Sequence, residues 1–250
     1  MYSTRISVVI PCFNEEANIQ ANVAKIASFL RDNFSSFEII AVNDGSSDGT
    51  LDQLKKIQTE IPIRVINSPK NEGKGKAVKK GFAHCQKNCE IIMFLDADLA
   101  IPIEELPAFL EAIDSGTDLA IASRFVPGAK ILKPVLWYRL IMERIFRLMR
   151  MAILNNWRIR DTQCGFKVFR YQAAKNIFPC LRTRRFAFDA EIIFLAGKLG
   201  YTIKELPVAL QNPKQSHIRL LFDPLNMSLD LLRIRLNYFL GKYQKRNHAK

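Results

Sequence analysis

Apolar residues in this chain fall into short runs divided by polar, glycine-bearing stretches. Five of the runs, at 6–10, 39–42, 63–66, 91–95 and 119–122, are rich in strand formers. Near-continuous apolar runs of this length, broken here only by Ser7 and Arg64, are typical of strands buried on both faces of a parallel sheet. Between them, helical spacing predicts helices from a cap at Asn14 to about 34, after the polar turn 43–50, from the basic loop 71–76 to about 85, and near Pro102. Pro11 is expected to stop the first strand. Strand, loop and helix alternate with a period of roughly 30–40 residues, the pattern of a doubly wound, mostly parallel α/β sheet.

In such a sheet the loops after successive strands open on one edge, where ligands bind. Their contents agree here. Asp44 follows the second strand and can accept a hydrogen bond from a base N–H or a ribose hydroxyl. Lys74 lies between Gly73 and Gly75, which permit close backbone approach to a diphosphate. Asp96 and Asp98 follow the run Ile91-Ile92-Met93-Phe94-Leu95 directly, and buried carboxylates need a partner or a metal. Two hard oxygen donors suit Mg²⁺ or Mn²⁺, with phosphate and water filling the other positions. Neither a dinucleotide glycine fingerprint nor a Walker phosphate loop is present, which argues against dehydrogenases and P-loop ATPases.

At 250 residues the chain has room for one sizeable α/β domain, 1–215, and a C-terminal loop and amphipathic helix, 216–250. The net charge of +13 points to anionic partners: a nucleotide, a nucleic acid or an acidic lipid surface. Five cysteines without a C-x-x-C pair, and no apolar signal segment, suggest a reduced cytoplasmic setting. No stretch approaches the ~18 uninterrupted apolar residues of a membrane span.

Several segments, in order, carry a family resemblance: Val8-Val9-Ile10-Pro11 with Asn14-Glu15-Glu16, Val42-Asn43-Asp44-Gly45, and Asn71-Glu72-Gly73-Lys74-Gly75. They continue through Asp96-Ala97-Asp98, Ser123-Arg124, Asp161-Thr162-Gln163-Cys164-Gly165-Phe166-Lys167 and Phe186-Ala187-Phe188-Asp189-Ala190-Glu191. As a set they resemble the inverting family 2 glycosyltransferases of the GT-A fold. Within that family they look most like the polyprenyl-phosphate sugar transferases, in the glucosyl branch of the dolichyl-phosphate enzymes. The mannosyl branch commonly has Gln two residues past the second acid, where this chain has Ala100, again closer to the glucosyl pattern. The glucosyl branch usually has a Trp before the C-terminal loop, and there this chain departs from it with Leu210-Gln211.

The resemblance implies hexose transfer, glucose from UDP-glucose being favoured, onto a polyprenyl phosphate with Mg²⁺ or Mn²⁺. Mannose from GDP-mannose, or a hydroxyl acceptor, is the alternative. Pro11, Phe13, Glu15, Asp44, Lys74 and Asp96 would bind the donor. Asp98 would hold the metal, with Asp96 beside it. Asp96, Asp98, Asp161 and Asp189 would be the catalytic set, with Asp189 a base, an orienting group or only a helix cap. Arg124, Arg139, Ser216 and Arg219 would receive the acceptor phosphate.

Residues 129–160 hold eight basic side chains against one acid, Glu143. From about 135 to 154 the spacing is helical, with Arg139, Glu143, Arg147 and Arg150 on one face and Tyr138, Ile141, Met142, Ile145, Met149 and Ala152 on another. Trp137 and Trp157 bracket this helix, and 225–243 is a second such stretch. Both fit helices lying on an anionic cytoplasmic leaflet, or a contact with a second copy or a membrane-anchored partner. A basic nucleic-acid-binding module is the non-enzyme reading, but no recognition motif for nucleic acid is present, so none is expected as a partner.

Overall fold

The structure, a computed structural model, describes residues 1–132, 137–211 and 222–243; of 137–140 and 222–225 the backbone alone is described. The chain opens with β1 (Ile6–Cys12), α1 (Ile19–Asn33), β2 (Phe37–Asp44), α2 (Thr50–Gln58), β3 (Ile63–Ser68) and α3 (Lys74–Ala83). It continues with β4 (Ile91–Leu95), α4 (Leu106–Asp114), β5 (Leu119–Ser123), a short β6 (Lys130–Ile131) and α5 (Trp137–Leu154). The last third adds β7 (Phe166–Arg170), α6 (Tyr171–Ile177), α7 (Phe188–Lys198), β8 (Ile203–Pro207), a short β9 (Ala209–Leu210) and α8 (Phe222–Phe239).

Seven strands form one sheet in the order β3-β2-β1-β4-β7-β5-β8. All run parallel except β7, which pairs antiparallel with both β4 and β5. Alternate residues of the apolar runs feed two cores. Val8, Ile10, Ile39, Ala41, Met93 and Leu95 face α1, α2 and α4. Val9, Ile40, Val42, Ile92 and Phe94 face α3, α6 and α7, and beyond them α8. All five predicted strands are present, with β4 at the expected limits.

Three local expectations are corrected. Pro11 does not end β1, which runs two residues past Ile10 and stays in register with β2 to Cys12↔Asn43. A central-strand proline is tolerated because the β1–β4 ladder has already stopped at Val9↔Phe94. Asn14 does not cap α1. It sits at φ +55° and its Oδ1 accepts the Ser47 N–H at 2.9 Å, while α1 begins at Ile19, five residues later, behind Asn18. The third correction is β7, which the sequence reading left without a strand.

The parting of β1 and β4 creates the site. The chain lays β2 and β3 on one side of β1 and then crosses to place β4 on the other, so the sheet's switch point lies between β1 and β4. Loops leaving the two strands diverge there and leave a crevice at their carboxyl ends.

Candidate active site

Backbone and side-chain hydrogen bonds lace the loops around that crevice together. Glu15 N–H donates to Thr50 Oγ1 at 2.8 Å, and Gly49 N–H donates to Glu16 Oε2 at 3.0 Å. This holds the loop bearing Phe13 and Glu15 against the turn after β2. Asp44 accepts the Glu72 and Gly73 N–H groups at 2.9 and 2.8 Å and so fixes the loop that begins α3. Burial pushes the Asp44 carboxyl up against the opposing pull of those two donors. Gly45 lets the two loops touch: at φ +67°, a Cβ there would stand 2.2 Å from the Lys70 carbonyl carbon.

Lys74, in the first turn of α3, reaches across to Asp96 at the end of β4, Nζ to Oδ1 2.5 Å. Burial works against its charge, but Asp96, Asp189 and Asp98 together hold the ammonium above its ordinary value. Asp98 lies two residues on, just before Leu99 at φ +49°, and its Oδ1 accepts the Ala100 N–H at 3.0 Å. The turn is tied to α1 by Asn22, whose amide donates to the Ala97 carbonyl at 2.7 Å. Both carboxylates are partly exposed on the crevice side of the strand end.

The antiparallel strand brings the remaining residues. A parallel strand delivers its outgoing loop to this edge, whereas β7 delivers its incoming one, 157–165. Gly165 lies opposite Asp96 and accepts its N–H at 2.9 Å. A Cβ on Gly165 would stand 2.0 Å from Asp96 Oδ2 and 2.2 Å from its carboxyl carbon. Gly165→Ala is therefore expected to swing Asp96 away from Lys74 and lower kcat/KM by about 100-fold, a displacement of this size being enough. Steady-state transfer, with the thermal midpoint as a control, checks this; wild-type turnover would mean that the position of Asp96 is immaterial.

Asp161, on the same incoming loop, meets Arg124 at the end of β5. The Arg124 Nε and Nη2 donate to Asp161 Oδ2 and Oδ1 at 2.7 and 3.1 Å. Its backbone N–H adds a third bond at 3.1 Å. Burial alone would raise Asp161, but the Arg124 charge and hydrogen bonds outweigh it and hold the carboxyl far below the usual range. Asp189 falls inside the first turn of α7 behind Ala187, so it is no helix cap. It is ion-paired instead with Lys167 of β7, and both side chains are buried. Burial pushes the Asp189 carboxyl up to about 6 against the pull of Lys167 and Lys74. Lys167 also donates to the Cys164 carbonyl at 2.6 Å and lies over the Phe94 ring at 5.0 Å.

Asp44, Lys74, Asp96, Asp161, Arg124 and Asp189 thus form one connected charged floor beside Asp98. Arg139 falls in the first turn of α5, with its side chain outside the described residues. Ser216 and Arg219 also lie outside them. The expected basic face of α5 is corrected in part. Arg150 is buried and donates to the Ile159 carbonyl at 2.7 Å, and Glu143 pairs with Arg124. Gly165, Lys167 and Glu143 are the site residues that sequence reasoning left without a role. The lone acid in a basic stretch was the available signal for Glu143.

The sequence model described as "Glycosyl transferase family 2" matches residues 7–178. The chain belongs to glycosyl transferase family 2. This family 2 transferase is 34% identical over 259 residues to a dolichyl-phosphate beta-glucosyltransferase of Saccharomyces cerevisiae (strain ATCC 204508 / S288c), covering 96% of this chain and 76% of that one. It is 31% identical over 173 residues to the dolichol-phosphate mannosyltransferase of Pyrococcus furiosus, covering 69% and 48%. Among solved structures it resembles glucosyl-3-phosphoglycerate synthase from Mycobacterium tuberculosis in complex with Mn²⁺, UDP and phosphoglyceric acid. There the TM-score is 0.68 at 20% identity, over 98% of this chain and 80% of that one. This likeness establishes the fold, and the mostly parallel GT-A expectation holds.

The acid pair fits a divalent ion. Among the described residues no group of three His, Cys, Asp or Glu gathers that could hold a metal. Asp96 and Asp98 would supply two hard oxygens, and a diphosphate and water the rest, which is how Mg²⁺ is usually bound.

Proposed function

We propose that this transferase moves glucose from UDP-glucose, with inversion, onto the phosphate of a dolichyl-type polyprenyl lipid at a membrane surface. The observation that carries this reading is the unequal state of two charged groups, one acidic and one basic. Asp189, the carboxylate a hydroxyl acceptor would need as base, is already ion-paired with Lys167 in the core. Arg124, by contrast, is a guanidinium held in bidentate geometry by Asp161 at the crevice edge, suited to a phosphate. A phosphate monoester has a second pKa near ~6 and is largely a dianion at neutral pH, so no proton has to be removed before it attacks.

In this reading a phosphate oxygen bonds to the anomeric carbon as the bond to the UDP oxygen breaks, and UDP leaves with the electron pair. Asp44 and the 71–74 loop seat the nucleotide, Asp96 and Lys74 the sugar and diphosphate, and Arg124 and Arg139 the acceptor. Mg²⁺ or Mn²⁺ held by Asp98 and Asp96 would supply Lewis-acid stabilisation of the leaving diphosphate. Asp189 and Asp161 act as fixed charges that orient Lys74 and Arg124.

The long acceptor tail calls for lipid contact, yet no helix among the described residues is long and apolar enough to cross a membrane. The two helices α5 and α8 pack together and leave apolar side chains outside: Ile141, Ile145 and Leu148 on one, Leu232, Leu236 and Phe239 on the other. Arg144 and Arg233 are exposed among them, a combination suited to an anionic bilayer surface. Leu232→Glu with Leu236→Glu is expected to weaken binding to anionic vesicles about tenfold or more while leaving UDP-glucose binding intact. Unchanged vesicle sedimentation would remove α8 from the lipid face.

The deciding experiment incubates the protein with a panel of UDP- and GDP-sugars and a short polyprenyl phosphate, and looks for a new lipid product. Product from UDP-glucose is expected. Product from GDP-mannose alone would favour the mannosyl reading that the Pyrococcus relative supports. Transfer only to a lipid alcohol would overturn the phosphate acceptor.

A further inference from the structure

Three guanidinium groups converge where β5 ends. The Arg124 guanidinium carbon lies 5.2 Å from the centre of the Phe125 ring, and that of Arg147, on α5, lies 4.7 Å from it. Arg160 Nη1 donates to the Phe125 carbonyl at 3.2 Å. Arg124 meets two carboxylates. Asp161 is built into the fold: it also accepts the Gln163 N–H at 3.0 Å and the Cys164 thiol at 3.1 Å, and its own N–H donates to Glu205. Glu143 comes from a different element, α5, one turn before Arg147, and reaches Arg124 Nη2 with its Oε1. Its side chain is about a quarter exposed, against 1% for Asp161. It is also poorly placed as an anion, since burial and the nearby Asp161 push its carboxyl up against the pull of Arg124 and Arg147.

Arg124 therefore carries one permanent anionic partner and a second that is only partly buried, at some desolvation cost, among cations. A phosphate dianion suits that second place better than a monovalent carboxylate does, because it brings more charge and three acceptor oxygens. We propose that Glu143 occupies the acceptor-phosphate seat, so that the lipid phosphate enters by exchanging with Glu143 on Arg124, and that Arg147 is a further cation of that seat. The inference rests on the proposed reading of Arg124 as an acceptor-binding residue. It makes α5, whose outer side carries the exposed apolar residues, the element that must yield when the acceptor docks.

The test uses citronellyl phosphate, a ten-carbon isoprenyl monoester, bound to the full chain without donor, with inorganic phosphate as competitor. Glu143→Gln is expected to bind the ester about tenfold more tightly than wild type, since a competing charge is removed from beside a guanidinium. With the ester held at the same multiple of its Kd, inorganic phosphate should displace it at proportionally lower concentration from this variant, because the seat recognises the phosphate group rather than the tail. Arg147→Gln should weaken binding several-fold. In turnover, Glu143→Gln should lower the KM for lipid phosphate and leave that for UDP-glucose unchanged, a split that a merely structural role would not give. Glu143→Asp, one methylene too short to reach Arg124, should shift affinity in the same direction and serves if the Gln variant folds poorly. If Arg124→Gln abolishes ester binding but neither Glu143 variant tightens it, the exchange is wrong and the acceptor reading stands. If Arg124→Gln binds as well as wild type, the acceptor reading itself fails and the exchange falls with it.

Discussion

Asp98→Ala is expected to lower sugar transfer by about 1000-fold or more while the protein stays folded, the loss corresponding to the several kcal/mol that Lewis-acid stabilisation of a leaving diphosphate supplies. The fold should survive because Asp98 lies past the end of β4, where its side chain accepts the Ala100 N–H of the turn, while Asn22 holds the preceding carbonyl independently. Asp98→Asn, which can keep that turn bond but not the charge, should fail as badly. Addition of a chelator should silence the wild-type enzyme, with Mg²⁺ or Mn²⁺ restoring it and restoring neither variant. Labelled-sugar transfer into the lipid phase, read beside the far-ultraviolet circular dichroism spectrum, measures both halves. Wild-type turnover in Asp98→Ala would exclude a metal role for this carboxylate.

The second large effect is on stability. Lys167→Met leaves Asp189 buried without its nearest cation, and removing one partner of a buried pair costs about 3–5 kcal/mol. For a chain of this size that lowers the thermal midpoint by roughly 10 °C. Replacing both, as Lys167→Met with Asp189→Leu, should recover much of the stability, because a packed apolar pair avoids the desolvation of two charges. Activity should not return with it, since Asp189 also helps hold the Lys74 ammonium. The pH dependence follows from the direction of the Asp189 shift. Its carboxyl is raised in the folded protein to about 6, above the ~3.9 of an unfolded chain. Its contribution is thus fully present below the unfolded value and is lost as pH rises through about 6. Without Lys167 the folded value rises further, so the variant's deficit should be larger at pH 8 than at pH 5. An equal deficit at both would mean that the buried charge is not what destabilises it.

These two sites differ in how they could be read. Asp98 was legible because its chemistry follows a simple local pattern: five strand formers, then two acids one residue apart. Both faces of β4 are buried, so no side chain interrupts the run. Lys167 was hidden for the opposite reason. It places a charge at the second position of Phe166–Arg170, which spoils the apolar pattern of a buried strand. Its compensating partner, Asp189, is 22 residues away on α7. The same holds on α5. Its spacing correctly predicted a helix, but Glu143 and Arg150 turn inward to partners on other segments, while Ile141, Ile145 and Leu148 stay outside. Amphipathic spacing shows that a helix has two faces; it does not say which one the protein covers.

The sequence alone therefore determined the alternating strands and helices, the edge on which the loops gather, the acid pair after β4 and the family to which those segments belong. All of these reside in runs of neighbouring residues, where side-chain period and turn chemistry act over a few positions. Only the tertiary structure decided that β7 runs antiparallel and so carries Asp161 and Gly165 into the crevice, that Asp189 is ion-paired with Lys167, and that Glu143 lies on Arg124. Each of these joins charges far apart in the chain, and a buried charge is stable only beside a partner that folding, not local pattern, brings to it.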